Sequence, residues 1–123
     1  MIRGGMVGLA TPRIVHGCTT RNESNGSVYV RILYEPIRGQ EGDIHERRVE
    51  FQLAKGRQTH IEEEEFDMGS YQIREAIRTV EVTRANGQIQ EINAPFDNVN
   101  AIELDWLFII EDRNIRSLER SSR

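Results

Sequence analysis

The stretch Ala101-Ile102-Glu103-Leu104-Asp105-Trp106-Leu107-Phe108-Ile109-Ile110-Glu111 decides the fold class. Ile102, Leu104, Trp106, Phe108 and Ile110 recur at every second position, the period of a strand whose alternate side chains share one face. On the other face Glu103 and Asp105 give way to Leu107 and Ile109, so the second half is apolar on both sides. Such a segment belongs inside a sheet, and residues 101–111 are predicted to form a central strand.

Working outward, Val28 to Tyr34 repeats the pattern, with Val28, Val30, Ile32 and Tyr34 inward and Tyr29, Arg31 and Leu33 outward. Pro36 ends it, because proline cannot donate to a ladder. Glu46 to Leu53 alternates again, with Val49, Phe51 and Leu53 inward. Lys55-Gly56-Arg57 reads as a tight reversal into residues 59–66, so these two runs are predicted to pair as an antiparallel hairpin. The carboxylates of Glu62 to Glu65 repel one another and break the alternation, which places them at a solvated edge or bulge. Arg13 to Thr20 is a short strand followed by a polar loop.

Ser70 to Val80 carries two patterns at once. Ile73, Ala76, Ile77 and Val80 are spaced for a helix with Ser70 as its cap, while Thr79, Val80, Val82 and Thr83 suit a strand. The reading adopted is a short helix or irregular entry through Ile77. A strand from Arg78 to Arg84 follows, then an Asn86-Gly87 turn and a partner strand from Gln88 to Ile92. Asp112 is expected to cap a short helix that turns Ile115 and Leu118 inward. The sum is a mainly β chain, a small antiparallel β-sandwich or barrel of six or seven strands with at most two short helices. Residues 1–12 form a poorly ordered lead-in, residues 13–120 a single β-rich domain, and residues 121–123 a frayed end.

At 123 residues the chain can bury roughly two-thirds of its unfolded surface without a disulfide or metal. No apolar run approaches the ~20 residues that cross a bilayer. The apolar patch Met6 to Ala10 is too short for a secretory core, so the cytoplasm is the expected compartment and no membrane is expected as a partner. The single cysteine, Cys18, fits a reducing environment. A net charge of -4 makes nucleic acid an unlikely partner. Lys55 is the one lysine among sixteen basic residues, a bias that reflects either codon usage or arginine-based recognition of carboxylates, phosphates and aromatic faces.

Two chemistries can be weighed. His16 and Cys18 share a strand face and could approach one Zn²⁺ with His45 and His60, but no second close ligand pair is present and no metal or cofactor is expected. Glu103 and Asp105 share a face beside apolar residues, where an ion pair to Arg84 or Arg78 is the simpler reading than catalysis. No glycine-rich phosphate loop, HExxH or nucleophile elbow occurs, and no catalytic residue is assigned. What remains is surface. Tyr29, Arg31, Leu33, Leu107 and Ile109 lie on nominally polar strand faces and are the candidate interface.

The expected function is therefore a non-enzymatic cytoplasmic β-domain that mediates protein association, as a homodimer or as an accessory or adaptor subunit. One alternative is a small-ligand barrel, possibly enzymatic, with Tyr34, Phe51, Trp106 and His16 around a pocket. A further alternative, single-stranded nucleic acid binding, requires a connected arginine surface containing Arg31, Arg47 and Arg48.

Overall fold

The computed structural model describes residues 12–39, 41–69 and 72–120. The lead-in expected over residues 1–12 therefore lies outside the described residues except for Pro12, as do the Ser70 cap and the frayed end at residues 121–123. Among the described residues, fourteen strand segments follow in chain order. The first seven are β1 (Ile14–Val15), β2 (Cys18–Asn22), β3 (Val28–Tyr34), β4 (Ile37–Arg38), β5 (Ile44–His45), β6 (Arg48–Leu53) and β7 (Gln58–Ile61). The others are β8 (Glu65–Asp67), β9 (Gln72–Arg74), β10 (Ile77–Thr83), β11 (Ile89–Asn93), β12 (Ile102–Glu103), β13 (Trp106–Ile110) and β14 (Ile115–Glu119). The chain is mainly β, with no helix among the described residues.

Eight of these strands build two four-stranded sheets, ordered β11-β10-β3-β6 and β14-β13-β2-β7, and neither closes into a barrel. The alternating side chains of both sheets enter one buried cluster. Val30, Ile32, Val80 and Val82 come from the first sheet; Cys18, Trp106, Phe108 and Ile110 come from the second. Phe96, from the loop before β12, meets the Phe108 ring edge-on with centroids 5.0 Å apart. Apolar area removed from water by side chains of this size contributes about 1.5–3 kcal/mol each, which is why the two alternating runs read from sequence dominate the architecture.

Val28 to Tyr34 forms the strand expected of it, and Asn86-Gly87 closes the β10–β11 hairpin, with Gly87 at φ 90°. Other expectations are corrected. The 101–111 segment is not one continuous strand. It breaks at Leu104-Asp105, and the Ile102 and Leu104 side chains, expected in the core, are 49% and 44% exposed. Its second half, β13, is central, flanked by β14 on one side and by β2, in parallel, on the other. The matching break before β2 falls at Gly17, where a Cβ atom would stand 2.4 Å from the Leu104 carbonyl oxygen. Backbone approaches too closely there for any side chain.

β6 and β7 do not pair with each other: β6 joins β3, and β7 joins β2, so Lys55-Gly56 carries the chain from one sheet to the other. The short helix or irregular entry expected through Ile77 is replaced at 72–74 by β9, which pairs with β8. The strand expected from Arg78 to Arg84 is present as β10, where β-branched residues and the long-range ladder with β3 extend it back to Ile77. The C-terminal helix is likewise replaced by β14, in which Ile115 and Ser117 turn inward and Leu118 lies opposite Leu107. Asp112 takes the Asn25 backbone and side-chain N–H groups instead of capping a helix.

Two short ribbons, β4–β5 and β8–β9, continue beyond the sheets. They touch where the His45 and Phe66 rings lie 6.3 Å apart. No helix of the described residues is long and apolar enough to cross a membrane.

Candidate functional site

The outward face of β3 organises one side of the molecule. Cross-strand pairing sets Tyr29 beside Thr83 and Gln52, Arg31 between Glu81 and Glu50, and Leu33 between Thr79 and Arg48. Ile89 pairs with Thr83 in the Tyr29 row and is 62% exposed. The outward residues of both edge strands are exposed as well, so this face is open to solvent. Tyr29 donates a hydrogen bond to the Glu50 carboxylate, which raises the phenol pKa from its ordinary value.

At the Leu33 end the face runs into a recess of about 470 Å³. Four arginines line it, Arg31, Arg47, Arg48 and Arg78, with Leu33, Tyr34 and Glu46. The sequence groups Arg31, Arg47 and Arg48 but gives no reason to add Arg78. The β10 ladder shifts register between Ile77 and Thr79, so Arg78 occupies a bulge. A bulge re-aims a side chain in a way that alternation cannot anticipate.

Three of the four arginines are held by carboxylates. Arg31 meets Glu81 at 3.1 Å, Arg48 meets Glu50 at 2.8 Å, and Arg47 donates to Glu75 at 3.0 Å. Arg47 also stacks 4.6 Å over the Tyr34 ring. The Glu75 side chain is fully buried, and its second oxygen has no partner among the described residues; the same is true of the Tyr34 hydroxyl. Burial pushes that hydroxyl up to about 12, so it stays protonated at neutral pH. His16, also buried, contacts the Glu75 carbonyl oxygen through Nδ1 at 2.7 Å. Glu75 carries no sequence signal of its own: a glutamate before a strand reads as surface.

The rest of the sequence-derived pocket disperses. Tyr34 and His16 both flank Glu75, but Trp106 packs in the core and donates through its indole N–H to Ser117 Oγ at 2.8 Å. Phe51 is a half-buried residue against the same core. Neither lines the recess. Leu107 and Ile109 lie on a different sheet from Tyr29, Arg31 and Leu33, and they are buried at 7% and 5% exposure.

Beside Leu107 sits a second polar group. Thr19 Oγ1 lies 3.1 Å from His60 Nδ1, donates to Asp105 at 3.0 Å, and accepts from Arg120 at 2.6 Å. Asp105 thus pairs with His60 and Arg120, correcting the expected ion pair with Arg84 or Arg78. The aspartate and the hydroxyl meet the same histidine nitrogen, whereas an activated nucleophile needs them on opposite sides of the ring. The three histidines end in three places, His45 beside Asp43. Among the described residues no three His, Cys, Asp or Glu side chains are arranged to hold a metal ion. Cys18 is fully buried, with its thiol pushed up to about 12, far from the thiolate character of a nucleophile.

No known family model matches the chain, and no curated protein or solved structure matches it.

Proposed function

We propose that this chain is a non-enzymatic association domain, a two-layer β-sandwich in the cytoplasm, whose partner is a second copy of itself. The observation that carries this reading is the open outward face of the β11-β10-β3-β6 sheet. There Tyr29, Leu33 and the exposed Ile89 stand among charges of both signs. Apolar groups surrounded by alternating Arg31, Glu50 and Glu81 make a surface that can complement a copy of itself under a two-fold axis.

Area sets the strength. Four strands about 4.8 Å apart, two of seven residues, one of six and one of five, cover on the order of 400 Å². A stable complex buries about 800 Å² per partner. The face alone thus supports a weak, concentration-dependent dimer. The ribbon residue Ile44, 55% exposed, is apolar surface that can extend it.

Light scattering behind size-exclusion, from low to several hundred micromolar protein, tests this. The mass is expected to rise toward the dimer with concentration, and Ile89→Glu or Leu33→Glu is expected to abolish the rise. A monomer throughout overturns the proposal, as does a dimer indifferent to both substitutions.

A further inference from the structure

We infer that the arginine-lined recess is a binding site for a small organic anion bearing a carboxylate or phosphate group. The recess shares Arg31 and Leu33 with the association face, but the inference does not rest on that reading, because an anion seated there needs no second copy of the chain.

The first argument is convergence. Arg31 on β3, Arg47 and Arg48 at the entry to β6, and Arg78 in the β10 bulge reach one recess from three separate segments. Its volume of about 470 Å³ lies within the roughly 300–1,000 Å³ of small-ligand sites. The second argument is orientation. Glu81 fixes Arg31, Glu50 fixes Arg48, and Glu75 with the Tyr34 ring fixes Arg47, so much of the ordering is complete before any ligand arrives. Each guanidinium has five N–H donors in a planar fork, and an ion pair of this kind occupies only one or two.

The third argument is Arg78. Its side chain makes no hydrogen bond or ion pair with the described residues. A cation placed by a bulge beside three oriented guanidiniums, and left without a carboxylate of its own, is the group with most to gain from an incoming oxyanion.

The charge balance narrows the ligand class. Glu46 on the lining, with Glu50, Glu75 and Glu81 against the arginines, offsets the four positive charges. The recess therefore recognises an anion through directed N–H groups and not through a broad positive field. A compact carboxylate or phosphate satisfies that geometry; a polyanion that needs a continuous basic track does not.

The test uses the full chain labelled with ¹⁵N-arginine, titrated with inorganic phosphate and, separately, citrate at constant ionic strength set by chloride. The Nε–Hε signals of Arg78 and of at least one of Arg31, Arg47 and Arg48 are expected to move together and saturate. Those of Arg57 and Arg113, which do not line the recess, are expected to stay. Arg78→Ala and Arg48→Gln are each expected to weaken binding at least tenfold, with the Trp106 emission unchanged as the check on folding. Saturation by phosphate alone or by citrate alone assigns the oxyanion class. Absence of saturation with both, a uniform drift of all arginines, or unchanged affinity in Arg78→Ala overturns the inference.

Discussion

Removing Arg47 should unfold this protein more readily than removing the glutamate it binds, although the two share one ion pair. The Glu75 side chain is fully buried, whereas that of Arg47 retains 23% of its exposure and lies 3.7 Å from Glu64. Arg47→Ala strands a buried carboxylate with no cation, at a cost of about 3–5 kcal/mol. It also removes the stacking on Tyr34, worth about 0.5–1 kcal/mol at such sites. Against a total stability of about 5–15 kcal/mol, the loss lowers the midpoint by at least about 10 °C. Glu75→Leu removes the charge itself and leaves an arginine that can turn to Glu64 and water, so about 1 kcal/mol is expected. The double variant Arg47→Met with Glu75→Leu replaces the pair by apolar groups and should recover to within about 1 kcal/mol of the parent. Urea unfolding followed by Trp106 emission measures all three, because Trp106 is the only tryptophan and is buried. Equal costs for the two single variants, or a double variant as unstable as Arg47→Ala, would refute the assignment of Glu75 as a desolvated charge.

Alkaline stability offers a second check. Cys18 has its thiol raised from 9.0 to about 12 by burial, so the folded state holds a proton that the unfolded state releases. This contribution is complete below pH 9 and declines by about 1.4 kcal/mol per pH unit as the pH rises toward 12, with Tyr34 adding in the same direction above pH 10. Denaturant melts between pH 8 and 11 should show that fall, and a Cys18→Ala variant should flatten its first part. Ser117→Ala is expected to cost about 2 kcal/mol, since it leaves both the Trp106 indole N–H and the Asp97 carbonyl without their partner. The same urea assay decides it, and a cost below about 0.5 kcal/mol would show that the hydroxyl is dispensable.

The fold class was legible where one face alternates without interruption. Val28 to Tyr34 is buried at every second residue as its sequence implies, and so is Trp106 to Ile110 on its inner side. What alternation could not reveal was where a period lapses. Leu104 continues the apolar pattern of its strand, yet the backbone breaks beside it to pass Gly17, and only a neighbour far away in sequence reports this. Pairing was equally hidden. A two-residue turn such as Lys55-Gly56 looks the same whether it folds a strand back on its neighbour or transfers the chain between sheets. Ile115 and Leu118 have helical spacing, but alternation of Ile115 with Ser117 beside a central strand wins through tertiary packing. The recess was half legible. Arg31 and the Arg47-Arg48 pair stood out as basic residues, while Arg78 depends on a register shift and Glu75 on burial that its residue type does not announce.

The parallel pairing of β2 with β13 has a consequence for biosynthesis. Cys18 is made 88 residues before its partner Trp106, with its other neighbour, Ile61, roughly midway between them. The second sheet therefore stays unfinished until β13 is made, while β3, β6, β10 and β11 can assemble from nearer neighbours as they appear. Closing so long a loop is slow, and the waiting β2 keeps an unsatisfied edge. A nascent chain stalled ahead of Trp106 should thus engage holdase chaperones, and emergence of β13 and β14 should act as the trigger for maturation of the second sheet.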